Sequence, residues 1–219
     1  MNKIKKSFSY TLIAWHKKNA LKFPWRETND SYKILLAELL LRKTTRGQVN
    51  AIYNKLLEKY LQPEILASAN IAELEKIIEP LGMQKKRSVL LVKIAEYIKN
   101  KHNGKVPKDL SKLTKIPGVG PYTANAVLCL AYNRNLPLVD TNTIRVIERV
   151  FQIKSKKARA RTDPKVWAFV LSLIPKGKAR EFNLALLDFA KLVCAPKSPK
   201  CSTCPIVSVC MYPKNIRCI

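Results

Sequence analysis

Apolar residues recur three and four positions apart along most of this chain, and sustained two-residue alternation is missing, so helices are predicted nearly throughout. Asp30 or Ser31 stands ahead of the apolar run at residues 34–41 and is suited to cap it. Asn70 and Glu73 have capping-box spacing before Leu74, Ile77 and Ile78, with Gly82 as the stop. Within residues 89–98, Leu90, Leu91, Ile94 and Ile98 keep a helical period. Asp163-Pro164 joins a cap to a proline at the first helical position, opening a helix through Trp167, Val170 and Leu171 toward Pro175. Residues 182–193 form a last helical run that leads into a cysteine, and residues 104–107 and 133–137 read as loops. The pattern predicts an all-α fold, without repeats or low-complexity tracts.

Some positions do not fit a purely structural pattern. The loop Lys115-Ile116-Pro117-Gly118-Val119-Gly120-Pro121-Tyr122 lies between helical stretches at 108–114 and 122–132. Pro117 stops the first, the glycines permit a tight hairpin, and Pro121 opens the second. Glycine amides at a helix start offer donors to an anion without side-chain bulk, so Gly118, Val119 and Gly120 form a candidate clamp for one phosphate. An ordinary turn between two helices is the competing reading. Asp140 precedes the apolar-periodic stretch Thr143-Ile144-Arg145-Val146 and reads as an N-cap, a role that leaves a carboxylate able to face a cleft. Glu38 interrupts a run of leucine and isoleucine, so its carboxylate is expected partly inside, with either a hydrogen-bonding partner or a pocket role. Asp188, in LALLDFAKL, poses the same question, and a structural hydrogen bond is expected there.

Charge narrows the function. Lysine and arginine outnumber aspartate and glutamate 41 to 15, a net +26 in 219 residues, while 47% apolar content suffices for real cores. Such a surplus favours a polyanionic partner, nucleic acid before an anionic membrane. The lysine-rich start resembles the head of an export signal, but the apolar stretch at 11–15 ends at His16-Lys17-Lys18, too short to serve as one. No apolar run approaches a membrane span, and a soluble cytoplasmic protein is expected.

Cys194, Cys201, Cys204 and Cys210 stand in the array C-x6-C-x2-C-x5-C. Four thiolates this close bind something soft. Zinc sites usually pair two short knuckles, whereas here Cys201 and Cys204 form the only one. The wide arms suit a [4Fe–4S] cluster, with zinc or disulfides as alternatives. Cys129 sits among Ala126, Val127 and Leu130 as a core residue, and Cys218 lies in the tail with no assigned role.

Taken together, the hairpin at 116–120, Asp140 eighteen residues beyond Tyr122 and the terminal cysteine array stand in the order and spacing of a known family. The chain resembles the helix-hairpin-helix base-excision DNA glycosylases of the endonuclease III type over nearly its whole length. The resemblance implies two α-helical domains flanking a DNA groove: residues 22–133 with the hairpin, and residues 1–21 joined to 134–219 with a [4Fe–4S] cluster. In that family the residue two after the second hairpin glycine sorts the chemistry. Bifunctional members carry lysine there and form a Schiff base with the sugar. This chain has Tyr122, and a phenol forms no imine. Tyrosine at that site looks like the mismatch glycosylases that remove thymine or uracil opposite guanine. The stretches Phe23-Pro24-Trp25-Arg26 and Glu38-Leu39-Leu40-Leu41-Arg42-Lys43-Thr44-Thr45 look like that branch too.

The same resemblance assigns roles. Asp140 would stabilise the oxocarbenium-like sugar, Tyr122 would pack beside the flipped nucleotide, and Glu38 would meet the base edge. Lys43 and Met83 would fill the vacated space in the duplex, although other branches carry glutamine at the position of Lys43. Basic residues such as Lys154, Lys156, Lys197 and Lys200 would hold phosphates. The expected partner is double-stranded DNA with a mismatched or damaged base, bound by a monomer. Adenine excision from mismatches is a competing reading, disfavoured because the chain ends soon after the cysteines. Alkylpurine removal is another, and a non-catalytic DNA-binding role built on a structural cluster is the third.

Overall fold

The computed structural model describes residues 2–212, so Cys218 lies outside the described residues. The helices are α1 (Asn2–Asn19), α2 (Ser31–Leu40), α3 (Arg46–Lys59), α4 (Pro63–Ala67), α5 (Ile71–Ile78), α6 (Gln84–His102), α7 (Leu110–Leu113), α8 (Pro121–Tyr132), α9 (Thr141–Phe151), α10 (Pro164–Leu171) and α11 (Ala179–Leu192). Among the described residues there are no strands, as the absence of alternation predicted. No helix among them is long and apolar enough to cross a membrane. The chain divides into two compact units. One is Lys22–Tyr132; the other joins the residues up to Leu21 to those from Asn133 onward.

In the Lys22–Tyr132 unit, α2 is the central helix and packs against α8, while α4 and α5 pack on α6. Ile34, Leu35, Leu36, Ala37 and Leu40 are almost completely buried, which explains an apolar pattern on nearly every side of α2. Each of these leucine and isoleucine side chains contributes about 1.5–3 kcal/mol by leaving water. Asp30 caps α2 by accepting from the amides of Tyr32 and Lys33. The α5 start differs from expectation in one respect. Asn70 accepts from the amide of Glu73, but the Glu73 carboxylate turns to Lys59 rather than back to the cap. A complete capping box occurs instead at Thr45 and Gln48, opening α3.

In the other unit, α1 lies on α11, and α11 on α9. The short apolar stretch near the N-terminus is one buried face of α1, where Phe8 and Leu12 are fully enclosed. Phe8 meets Phe151 and Phe182 edge-on, and Trp15 meets Phe189. Asp188 is fully buried on α11. Its Oδ2 accepts from the amide of Leu21 at 3.0 Å and bonds His16 Nε2 at 3.1 Å. This is the structural role expected of it: the carboxylate ties both ends of the α1 connection to α11. Asp163 caps α10 and Pro164 opens it, as the sequence indicated.

Candidate active site

The hairpin after α7 is built by alternation of burial. Ile116 and Val119 are buried anchors, while Pro117, Gly118 and Gly120 are exposed. The amide of Val119 closes the turn on the Ile116 carbonyl at 3.0 Å. Val119 therefore serves the loop with both its side chain and its N–H. The amides of Gly118 and Gly120 donate to no protein acceptor among the described residues and stand open at the surface. Gly118 has φ +75°, which favours glycine, and a Cβ there would also press on a Leu90 methyl at 3.1 Å. Tyr122 follows as the second residue of α8, partly buried.

On the same unit, the sequence places Lys43 after α2 and Met83 before α6. The structure brings both to the rim of one open cavity of about 190 Å³, lined also by Leu39, Arg42, Arg87 and Leu90. Lys43 is exposed, and Met83 is 52% exposed despite its apolar side chain. Both adopt the left-handed conformation, with φ of 59° and 55°. Neither is glycine, so each costs about 1–2 kcal/mol of backbone strain. Strain of this kind clusters at functional sites, and two exposed side chains share it here. Glu38 lies on α2, partly buried among leucines.

Asp140 lies on the other unit, at the N-cap of α9. Oδ1 accepts from the Thr143 amide at 2.7 Å, and Oδ2 from Asn142 Nδ2 at 3.0 Å. The contact continues. Arg145 Nη1 donates to Asn142 Oδ1 at 2.9 Å, Nε donates to the Cys194 carbonyl at 3.0 Å, and Nη2 to the Ala190 carbonyl at 2.8 Å. One turn later, Arg149 donates to the Cys194 sulfur at 3.4 Å and to the carbonyls of Ala195 and Pro196. Arginines four apart on α9 share a face, and that face is the one against the cysteine loop. In the sequence, Arg145 and Arg149 are indistinguishable from the surface charge of a chain of +26. Their i,i+4 spacing puts them on one helix face, but nothing local names the carbonyls they reach.

Cys194, Cys201, Cys204 and Cys210 line a single cavity with Val150, Phe189, Val193 and Ile206. All four are free thiols. Burial raises the Cys204 thiol to about 11, the penalty for a thiolate in an apolar wall. Among the described residues no group of three cysteine, histidine or acidic side chains is placed to hold a metal ion. Zinc draws its sulfurs to about 2.3 Å from one point. Four cysteines lining one apolar cavity suit a soft inorganic group, and a donating guanidinium on one sulfur suits its thiolate charge.

The described geometry has counterparts in known proteins. Residues 36–170 match the family described as HhH-GPD superfamily base excision DNA repair protein. A thymine/uracil-DNA glycosylase of Pyrobaculum aerophilum is 47% identical over 209 residues, covering 94% of this chain and 91% of that one. The solved structure of a thermostable thymine-DNA glycosylase superposes with a TM-score of 0.93 at 37% identity, over 98% of this chain and 99% of that one. A non-covalent endonuclease III–DNA complex aligns with a TM-score of 0.81 at 27% identity, over 96% of this chain and 97% of that one.

Proposed function

Because this chain belongs to the HhH-GPD superfamily of base excision DNA repair proteins, we propose that it is a DNA N-glycosylase that hydrolyses thymine or uracil from mispairs with guanine. The observation that carries the base assignment is the likeness to thymine/uracil-DNA and thymine-DNA glycosylases along nearly the whole chain. The enzyme works as a monomer on double-stranded DNA in the cytoplasm, at the nucleoid.

The chemistry follows from the residues. The mispaired base leaves the stack, at a cost of a few kcal/mol that is lowest at a mismatch. Lys43 and Met83 occupy the gap, and the open amides of Gly118 and Gly120 hold a backbone phosphate. As the bond from C1′ to the base nitrogen breaks, positive charge grows on the sugar, and the Asp140 carboxylate stabilises it. The base departs with the bonding electron pair, water adds its oxygen to C1′, and the proton the water loses balances the one the departing base takes up. Glu38 meets the departing base edge by hydrogen bonding or proton donation. Tyr122 shapes the pocket and offers no amine, so the sugar is not captured as an imine.

Cys194, Cys201, Cys204 and Cys210 are the residues that would hold a [4Fe–4S] cluster. When bound it cross-links the C-terminal loop through iron–thiolate bonds, and cleavage of a glycosidic bond by water transfers no electrons. The exposed Lys197 and Lys200 on that loop contact phosphates.

The test is release of free thymine from a T:G duplex in the presence and absence of borohydride. Hydrolysis predicts free base in both and no protein–DNA adduct. An efficient adduct would mean that a lysine attacks the sugar and that Tyr122 does not define the chemistry.

A further inference from the structure

Arg87, on α6, is 9% exposed, yet among the described residues it pairs with no carboxylate. Its guanidinium instead grips three backbone carbonyls. Nε donates to Gly82 at 2.9 Å, Nη2 to Arg42 at 2.7 Å and Nη1 to Leu40 at 3.4 Å. The first two carbonyls belong to the peptide units whose nitrogens are Met83 and Lys43, the two left-handed residues at the cavity rim. One planar side chain thus holds the peptide planes from which both exposed side chains hang. Arg42 extends the arrangement: its Nη1 donates to the Gly118 carbonyl in the hairpin at 2.9 Å. Gln48 adds a parallel tie from the start of α3 to the Pro80 carbonyl, two residues before Gly82.

We propose that Arg87 and Arg42 form a clasp that holds the hairpin, the Lys43 turn and the Met83 turn in register, and so positions the two side chains that enter the duplex. The proposal rests on the DNA role assigned to these turns above. Three observations support it. A guanidinium fork reaches carbonyls on separate turns at once, which a single ammonium does not. Charge-assisted bonds are directed at the peptide units where the backbone is strained. Burying a cation without a carboxylate is costly, and desolvation with the nearby Arg42 lowers the pKa of Arg87. Neutral donors would have tied the loops without that cost. Cationic ties leave positive charge beneath the cavity that Lys43 and Lys86 also line, where a polyanion would approach.

Arg87 and Arg42 are positioning residues, so the test reads duplex distortion and not only turnover. The probe is a duplex with a tetrahydrofuran abasic site opposite guanine and 2-aminopurine stacked beside that guanine. Wild-type protein at saturation is expected to raise the fluorescence as the stack is opened. Arg87→Lys should give less than about a third of that rise while its affinity for the same duplex stays within about threefold. Arg42→Gln should give an intermediate rise. Asp140→Asn should give the full rise, although it no longer excises a base. On a T:G duplex, Arg87→Lys should lower kcat at least about tenfold with KM little changed. The proposal is overturned if both arginine variants reach the wild-type fluorescence, or if the wild type raises none. Should Arg87→Lys lack native helicity by circular dichroism, Arg42→Gln decides. The abasic duplex contains no base to excise, so a wild type that spares thymine would sink the T:G reading and leave this test standing.

Discussion

Asp140 is the N-cap of α9, and the role in excision proposed for it is compatible with that one. As the N-cap of α9 it satisfies the Thr143 amide with Oδ1, and this fixes the carboxylate while Asn142 holds Oδ2. Capping is therefore part of its preorganisation. Asp140→Asn should lower excision at least about 100-fold with DNA affinity within about tenfold, since the charge that stabilises the sugar is gone and the cap remains. Asn142→Ala should cost less, about tenfold in kcat, because the carboxylate keeps its charge and its cap but loses one restraint. Single-turnover kinetics beside a binding isotherm decide; near-normal turnover in Asp140→Asn would remove that residue from the mechanism. The carboxylate was legible in the sequence because a cap has a local signature. Arg145 and Arg149, which connect its surroundings to the cysteine loop, were not, because their partners are backbone carbonyls at residues 190–196 and leave no mark on local sequence.

The same boundary between local and long-range information appears among the elements. The hairpin could be read because its glycines and prolines dictate the turn by themselves. The turns at Lys43 and Met83 could not, because a left-handed lysine or methionine has no local signature and the Arg87 contacts beside them join residues distant in sequence. The capping box expected at Asn70 and Glu73 was half right for a related reason: Lys59, from α3, takes the glutamate. For α1, only a short apolar stretch is visible in the sequence, while its tie to α11 comes from the Asp188 carboxylate near the far end of the chain. Asp188→Ala leaves His16 and the Leu21 amide without that acceptor in a dry site. It should destabilise the protein by about 2–3 kcal/mol in thermal or urea denaturation. A loss below about 0.5 kcal/mol would show that the tie contributes nothing to holding α1.

For the whole molecule, the +26 charge makes association with DNA electrostatic at its base. The logarithm of the association constant should fall linearly with the logarithm of salt concentration, with a slope of about −0.9 for each phosphate neutralised. A flat dependence would assign the basic surface to some other purpose. The cysteine array, with the hairpin and Asp140, carries the family resemblance in the sequence, while the proposed base choice rests on Tyr122 and on the likeness with thymine glycosylases. The most direct measurement is base release under single-turnover conditions from duplexes that differ at one pair: T:G, U:G, T:A, A:G and a methylpurine. Strand scission before and after alkali is the readout. Rapid release from T:G and U:G, sparing of the rest, and scission only after alkali are predicted. Preferential release of adenine or methylpurine, or scission without alkali, would contradict a hydrolytic thymine and uracil mismatch glycosylase.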